Sequence, residues 1–205
     1  MAVLTISRQF GAGGKTLGER LAQRLGYQFV DRHLISDVAK KANVSVDWVV
    51  AVERETSGRL MQILSKMVSG NFIERQLANS GSDFDEKKYI AFLKKVIIDL
   101  AETGNVVILG RGAEYILPDA PDIFKVLLVA SWEDRIKFLE NQYNITHKQA
   151  GGLVEKEEKK RNSFLKKLDP RDPNDPSLYH LCLNHSRVSM EKSEELILNL
   201  MRDYT

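Results

Sequence analysis

A single cysteine, Cys182, occurs in the 205 residues, so no disulfide can form within the chain and a reducing, cytoplasmic compartment is expected. It lies in the apolar run 181–183 and is expected in the core, because a free thiol behaves as a small hydrophobe. No window approaches the ~18 consecutive apolar residues of a membrane helix, and residues 1–6 carry no basic segment ahead of a long apolar one. Neither a membrane span nor a signal peptide is expected. Charge of one sign is also lacking: 30 Lys and Arg stand against 28 Asp and Glu, a net +2. That balance argues against a nucleic-acid or membrane partner. The histidines, His33, His147, His180 and His185, are scattered, in no Cys, His or carboxylate arrangement that would hold a metal. There is no internal repeat, and the tract DPRDPNDP at 169–176 reads as a loop.

What is present is ordinary globular composition, 43% hydrophobic and 28% charged, long enough for one domain with a helical insertion. Three apolar runs, 3–6, 106–109 and 124–129, read as buried parallel strands, with weaker strands at 28–30 and 180–183. Helical patterns alternate with them. Leu17, Leu21 and Leu25 recur at four-residue spacing before Gly26, a helix ending on a C-terminal glycine. Ser131, with Glu133 and Asp134 behind it, suits an N-cap and acidic first turn for a helix carrying Ile136 and Leu139. A last helix is expected over about 189–201. Strand and helix in alternation predict a parallel sheet covered on both faces.

Residues 34–103 break the alternation and read as three or four helices, a cap inserted after the second strand. Ile35, Val38 and Ala42 open it, 49–52 continue, and 63–77 and 89–100 close it with amphipathic spacing. A cap there either covers a substrate site at the carboxyl ends of the strands or serves as packing bulk. Its apolar residues suit a monomer core and a dimer interface equally, so the oligomeric state is not legible.

The opening VLTISRQFGAGGKTLGERLAQRLG is strand, glycine-rich turn, then amphipathic helix, the order a phosphate cradle requires. Glycines let backbone N–H groups point inward, and the helix N-terminus adds unpaired donors and a positive dipole end. Gly11, Ala12, Gly13, Gly14, Lys15 and Thr16 are the candidate ATP phosphate-binding residues, with Lys15 on the outer phosphates and Thr16 on magnesium carried by the nucleotide. The strict pattern G-x-x-x-x-G-K-[ST] ends on Gly14, Lys15 and Thr16, with its first glycine falling on Gln9. Aligning Gly11-Ala12-Gly13 with the G-x-G instead puts Gly14 where the lysine belongs. Ser7 and Arg8 flank the cradle, and Arg8 is placed to meet a phosphate or a nearby acid.

Four segments, TISRQFGAGGKTLGERLAQRLG, FVDRHLI, VVILGRGAEYILPDAP and YHLCLNHSRVS, together resemble the cytidylate-kinase-like P-loop family, a branch of the nucleoside monophosphate kinases. The resemblance implies an α/β, three-layer P-loop NTPase-type fold: a five-stranded parallel sheet, a helical monophosphate-binding cap at 34–103 and a small lid at 146–168. It implies transfer of the γ-phosphoryl group of ATP, with Mg2+, to a small phosphorylated acceptor, CMP or dCMP first.

It further implies site residues. Arg111 becomes an acceptor-side and catalytic arginine, as a guanidinium after a strand's end grips phosphate oxygens bidentately. Asp31 and Arg32 become acceptor contacts, though Asp31 equally suits the N-cap of a helix beginning near Arg32. Arg161, with Lys15 and Arg111 in the catalytic set, and Lys160 become lid cations, although charge runs on helices are also plain solvated faces. Arg135 lies where related kinases place another arginine. The strand 106–109 ends without the acidic residue many P-loop enzymes keep near magnesium. Two other readings stand beside the kinase: a nucleotide- or phosphate-binding regulatory module, and a P-loop kinase for a non-nucleotide small molecule.

Overall fold

The computed structural model describes residues 2–31 and 86–202. The chain divides into two compact units, one of residues 1–30 with 104–205 and one of residues 31–103. Most of the expected cap, including the patterns at 35–77, lies outside the described residues, as do Arg32 and His33.

Within the second unit one helix is described, α2 at Glu86–Thr103. Leu93, Val96, Ile97 and Leu100 are buried along it, the i, i+3, i+4, i+7 stripe of an amphipathic helix. Lys95 and Asp99 pair on it at 3.0 Å.

The first unit is a parallel sheet. In chain order it runs β1 (Val3–Arg8), α1 (Gly14–Leu25), β2 (Gln28–Val30), β3 (Val106–Leu109), α3 (Ala113–Ile116), β4 (Ile123–Val129), α4 (Trp132–Tyr143), α5 (His147–Leu165), a helical turn (Pro176–Leu178), β5 (Leu181–Asn184) and α6 (Met190–Met201). The five strands lie in the order β2-β3-β1-β4-β5, every pair parallel. β1 is central, with Ile6 opposite Leu109 on one side and Val126 on the other. Its run of apolar residues follows from burial on both faces.

Leu4, Ile6, Val107, Phe124, Val126, Leu128 and Leu183 form one inner face with Leu17 and Leu21 of α1 and Ile197 and Met201 of α6. On the other face Lys125 of β4, 4% exposed, donates to the carbonyls of Glu114 (3.2 Å) and Leu117 (2.9 Å) and to the Asp119 carboxylate (2.7 Å). A cation at the carboxyl end of a helix satisfies carbonyls that the helix leaves unpaired. A second, smaller core joins α4 to α5 through Ile136, Leu139, Ala150 and Val154, with Phe10 packed against it.

Helix termini follow the local code. Gly26 closes α1 in the left-handed conformation, Ser131 caps α4 through the amide of Asp134 at 3.2 Å, and Ser189 caps α6 through Lys192. Thr146 and Gln149 make a reciprocal capping box on α5, a pairing that satisfies two otherwise orphaned donors. The tract at 169–176 is a loop stitched by short Asx turns, Asp169 to the amide of Arg171 and Asp172 to that of Asn174, both 2.9 Å.

One expectation is corrected. Cys182 is exposed rather than core. Among the described residues β5 is an edge strand paired only with β4, and along it Leu183 alone is buried while Cys182 and Asn184 face outward. The apolar run 181–183 is therefore covered on one face, and period-two alternation sends the thiol to the other. Partial burial still pushes its pKa up.

Candidate active site

The phosphate loop is built between β1 and α1. Gln9 leaves β1 with its amide on the carbonyl of Leu128 (3.0 Å), and its side-chain oxygen accepts from the amide of Ala130 (3.1 Å). That side chain ties the loop's entry to the end of β4. Ala12 then turns back to donate to the carbonyl of Gln9 (3.2 Å). Gly13 is the N-cap of α1 at φ 80°, with no side chain to offer the helix. A Cβ there would displace only the flexible end of Met190, so it is the left-handed backbone angle that demands glycine. The first helical bond runs from Leu17 to Gly13 (3.1 Å). The amides ahead of it have no partner within the helix and point as a group toward whatever occupies the loop.

Gly14 opens α1, so Gly14, Lys15 and Thr16 occupy its first turn, where the strict pattern puts them. Lys15 lies along the helix, its ammonium 3.8 Å from Glu19 and its side chain 63% exposed. The pattern's first position, Gln9, uses its side chain as a strut instead of a glycine's freedom.

Two residues from distant elements hold the shoulder of the loop. Glu158 on α5 accepts from the amide of Phe10 at 2.7 Å, and Arg135 on α4 donates to the carbonyl of the same residue at 3.4 Å. They face each other at 3.9 Å, and the Arg135 guanidinium lies over the Trp132 ring, 5.5 Å from its centre. Arg135, the extra arginine of the sequence reading, thus engages the loop's backbone together with an acid that the reading did not single out. Glu158 sits in the charge run EKEEKKR, where nothing local marks it from its neighbours.

At the carboxyl end of β3 the turn Gly110, Arg111, Gly112 is left-handed throughout, at φ 70°, 60° and 70°. Arg111 projects from it with its guanidinium over the ring of Phe164, 5.6 Å from the centroid. One turn earlier on α5, Arg161 reaches back to the sheet. It donates to Ser7 Oγ at 3.2 Å and to Asn174 Oδ1 at 3.4 Å. Ser7 in turn donates to Glu114 Oε1 at 3.0 Å, and both are buried, at 2% and 4% exposure. Tyr179 donates to the carbonyl of Pro173 at 2.7 Å. Burial first, and the nearby Glu114 carboxylate second, push its phenol pKa well above the ordinary value. The same two causes push Tyr115 up to about 12, so both phenols stay neutral donors. Glu114, five residues beyond β3, brings carboxylate charge beside the sheet edge where the strand itself ends without one.

Arg111 and Arg161 are therefore brought to one face of α5, above the strand ends that carry the phosphate loop. Lys160 is turned elsewhere, exposed and paired with Glu157 at 2.7 Å. Asp31 directly follows β2 and belongs to the second unit. His185, which the sequence left without a role, has its Nδ1 2.7 Å from the carbonyl of Ala12 at the crown of the loop. Among the described residues no cluster of three or more His, Cys, Asp or Glu is arranged to hold a metal by itself, and no helix is long and apolar enough to cross a membrane.

A family model described as the cytidylate kinase-like family matches residues 3–187. Two curated shikimate kinases of Actinobacillus pleuropneumoniae, from serotype 5b (strain L20) and serotype 3 (strain JL03), are 39% identical over 49 residues, which is 24% of this chain. The match spans 27% of the length of those relatives. Among solved structures, an uncharacterized protein from Eubacterium ventriosum ATCC 27560 is similar with a TM-score of 0.71 at 17% identity, covering 98% of this chain and 99% of that one. Shikimate kinase from Acinetobacter baumannii in complex with shikimate is similar with a TM-score of 0.50 at 15% identity, covering 98% and 93%. At such identities the likeness is one of fold.

Proposed function

The chain belongs to the cytidylate kinase-like family, and we propose that it transfers the γ-phosphoryl group of ATP to a nucleoside monophosphate, with CMP and dCMP the first acceptors. The observation that carries the reading is the meeting of two features at one sheet edge. A glycine-built helix N-terminus supplies backbone donors, and Arg111 and Arg161, both borne against α5, supply guanidinium charge. Phosphoryl transfer needs positioning and charge neutralisation far more than covalent chemistry. Donor phosphates lie along Gly11 to Thr16, and Arg111 receives the acceptor phosphate. Asp31 and Arg32 are further acceptor contacts in this reading, and residues 146–168 are the lid, with Arg161 its reacting cation.

Mg2+ bound with the nucleotide would neutralise phosphate charge, and Thr16, in the first turn of α1, is the residue of this chain that would hold it. The uncapped first turn of α1 fits the anionic complex that such a nucleotide presents. The free thiol on the surface suits a cytoplasmic setting.

A second reading, a P-loop kinase for a non-nucleotide acceptor, is favoured by the local 39% identity to curated shikimate kinases. One experiment separates the readings. Coupled ADP release is followed with MgATP and each nucleoside monophosphate in turn, and then with shikimate. Stimulation by CMP or dCMP is expected. Stimulation by shikimate alone transfers the conclusion to the second reading, and turnover with no acceptor alongside retained ATP binding leaves a regulatory binding module.

A further inference from the structure

Ser7, next to last in β1, is a polar residue in a buried strand, with 2% of its surface exposed. Two charged groups from distant parts of the chain meet on its hydroxyl. The Arg161 guanidinium donates to it from Nη2 at 3.2 Å, and the hydroxyl itself donates to Glu114 Oε1 at 3.0 Å. Chemistry leaves these bonds no other direction. A guanidinium only donates and an ionised carboxylate only accepts, so the one hydroxyl proton goes to Glu114 and a lone pair turns to Arg161. Glu114 is 4% exposed, and a carboxylate so enclosed needs both a donor and an opposite charge. The hydroxyl is the donor, and it links the carboxylate to the charge of Arg161.

The two edges of the guanidinium are held unequally. Nη2 sits on Ser7, with the carbonyl of Pro173 farther off at 3.5 Å, whereas Nη1 reaches the amide oxygens of Asn162 and Asn174, each at 3.4 Å. Those Nη1 bonds are longer than ordinary N–H···O bonds and end on neutral oxygens, where a phosphate oxygen makes shorter, charge-assisted ones. We propose that Ser7 and Glu114 are positioning residues for phosphoryl transfer. The carboxylate orients the hydroxyl, and the hydroxyl anchors the Nη2 edge of Arg161 at the end of β1, just ahead of the phosphate loop. The Nη1 edge is left to exchange its amides for phosphate oxygens. This inference rests on the kinase reading above, in which Arg161 is the lid cation, and adds the two residues that aim it. Neither touches a reacting atom. An arginine already fixed before the transition state forms loses less freedom in binding it.

The test uses the full chain with Ser7→Ala, Glu114→Gln, Arg161→Met and each of the first two paired with the third. Melting temperature, affinity for MgADP, and kcat and KM with the acceptor identified in the screen are measured for each. Ser7→Ala is expected to lower kcat about 10-fold with MgADP affinity within about twofold, and Glu114→Gln, which still offers an oxygen, to lower it about 3- to 10-fold. Added to Arg161→Met, either substitution should cost less than about twofold more, because the residue it positions is gone. Losses that simply multiply overturn the inference, since a merely structural role acts in both backgrounds, and so does a Ser7→Ala kcat within about twofold of the unmodified chain. Glu114→Gln and its pair decide the matter if Ser7→Ala does not fold. Nitrogen-15 spectra of the arginine side chains add a readout that needs no acceptor. The Nη signals missing from Arg161→Met are expected to be resolved in the unmodified chain, where the guanidinium cannot rotate freely, and averaged in Ser7→Ala. Signals alike in the two proteins overturn the inference and leave the kinase reading standing. An unmodified chain that transfers to no acceptor sinks the kinase reading and this inference with it.

Discussion

His185 Nδ1 and the carbonyl oxygen of Ala12 lie 2.7 Å apart, joining the loop after β5 to the crown of the phosphate loop. A carbonyl only accepts, so Nδ1 carries the proton and the ring is held in one tautomer. Burial lowers the His185 pKa, an effect the bond to Ala12 partly opposes. His185→Ala removes the donor, and a 3- to 10-fold rise in KM for ATP is expected on the order of one lost hydrogen bond, ~1 kcal/mol. His185→Asn, which retains an N–H donor, should recover part of it.

The same histidine makes stability depend on pH with a definite sign. Its folded pKa is below the ordinary 6.5, so the unfolded chain takes up a proton more readily. Its contribution is present above the unfolded value and is lost as pH falls through the folded one. His180 shifts in the same direction, through burial and then Lys125. Urea midpoints taken at successive pH values downward from 7 should fall in the unmodified chain and fall less steeply in His185→Asn. Parallel curves for the two proteins would refute the assignment.

Glu158→Ala deprives the Phe10 amide of its acceptor and leaves Arg135 facing no carboxylate at that position. A loss of about 1–3 kcal/mol is expected, together with weaker ATP binding, because the loop's shoulder loses one of its two anchors. Glu158→Gln retains an acceptor oxygen and should cost less. An alanine variant indistinguishable from the parent in both stability and ATP affinity would remove Glu158 from the architecture of the loop.

Arg111→Ala and Lys15→Ala separate the acceptor side from the donor side. The first is expected to raise acceptor KM or lower kcat by about 10- to 100-fold while MgADP affinity is retained, and the second to abolish turnover. Steady-state kinetics paired with calorimetry reads both. Equal loss of nucleotide affinity in the Arg111 variant would reverse the assignment of donor and acceptor.

Lys125 and Asp119 test how burial sets the worth of a charge pair. Lys125 is enclosed and binds two backbone carbonyls, whereas the Asp119 side chain is 89% exposed. Lys125→Met, which fills the same volume, should cost about 1–3 kcal/mol through the carbonyls left unpaired. Asp119→Asn should stay within ~1 kcal/mol, the range of surface pairs. Denaturant unfolding of the two variants side by side checks the contrast.

What the sequence determined by itself is the sheet and the cradle. β2 and β3 have the bounds their apolar runs indicate, β1 and β4 differ by a residue or two, and β5 is shifted by one. Ser131 begins its helix and Gly26 ends its own as their types require, and the last helix starts beside Ser189 as expected. Strand burial, capping and glycine turns are local physics, so a single stretch of chain suffices to read them. The family, too, is legible in four short segments.

Only the tertiary structure decided which polar side chains meet. Phe10 and Glu158 are 148 residues apart in the chain, Ser7 and Glu114 107, and Ala12 and His185 173. No spacing rule links them, because parallel strands bring distant loops to one edge through crossovers whose length carries no register. For the same reason Cys182, in a run as apolar as any core strand, is exposed: its strand lies at the sheet's edge. Arg8 follows this pattern in full. The sequence places it beside the cradle, and the neighbouring of β1 with β3 brings its guanidinium to Gly110.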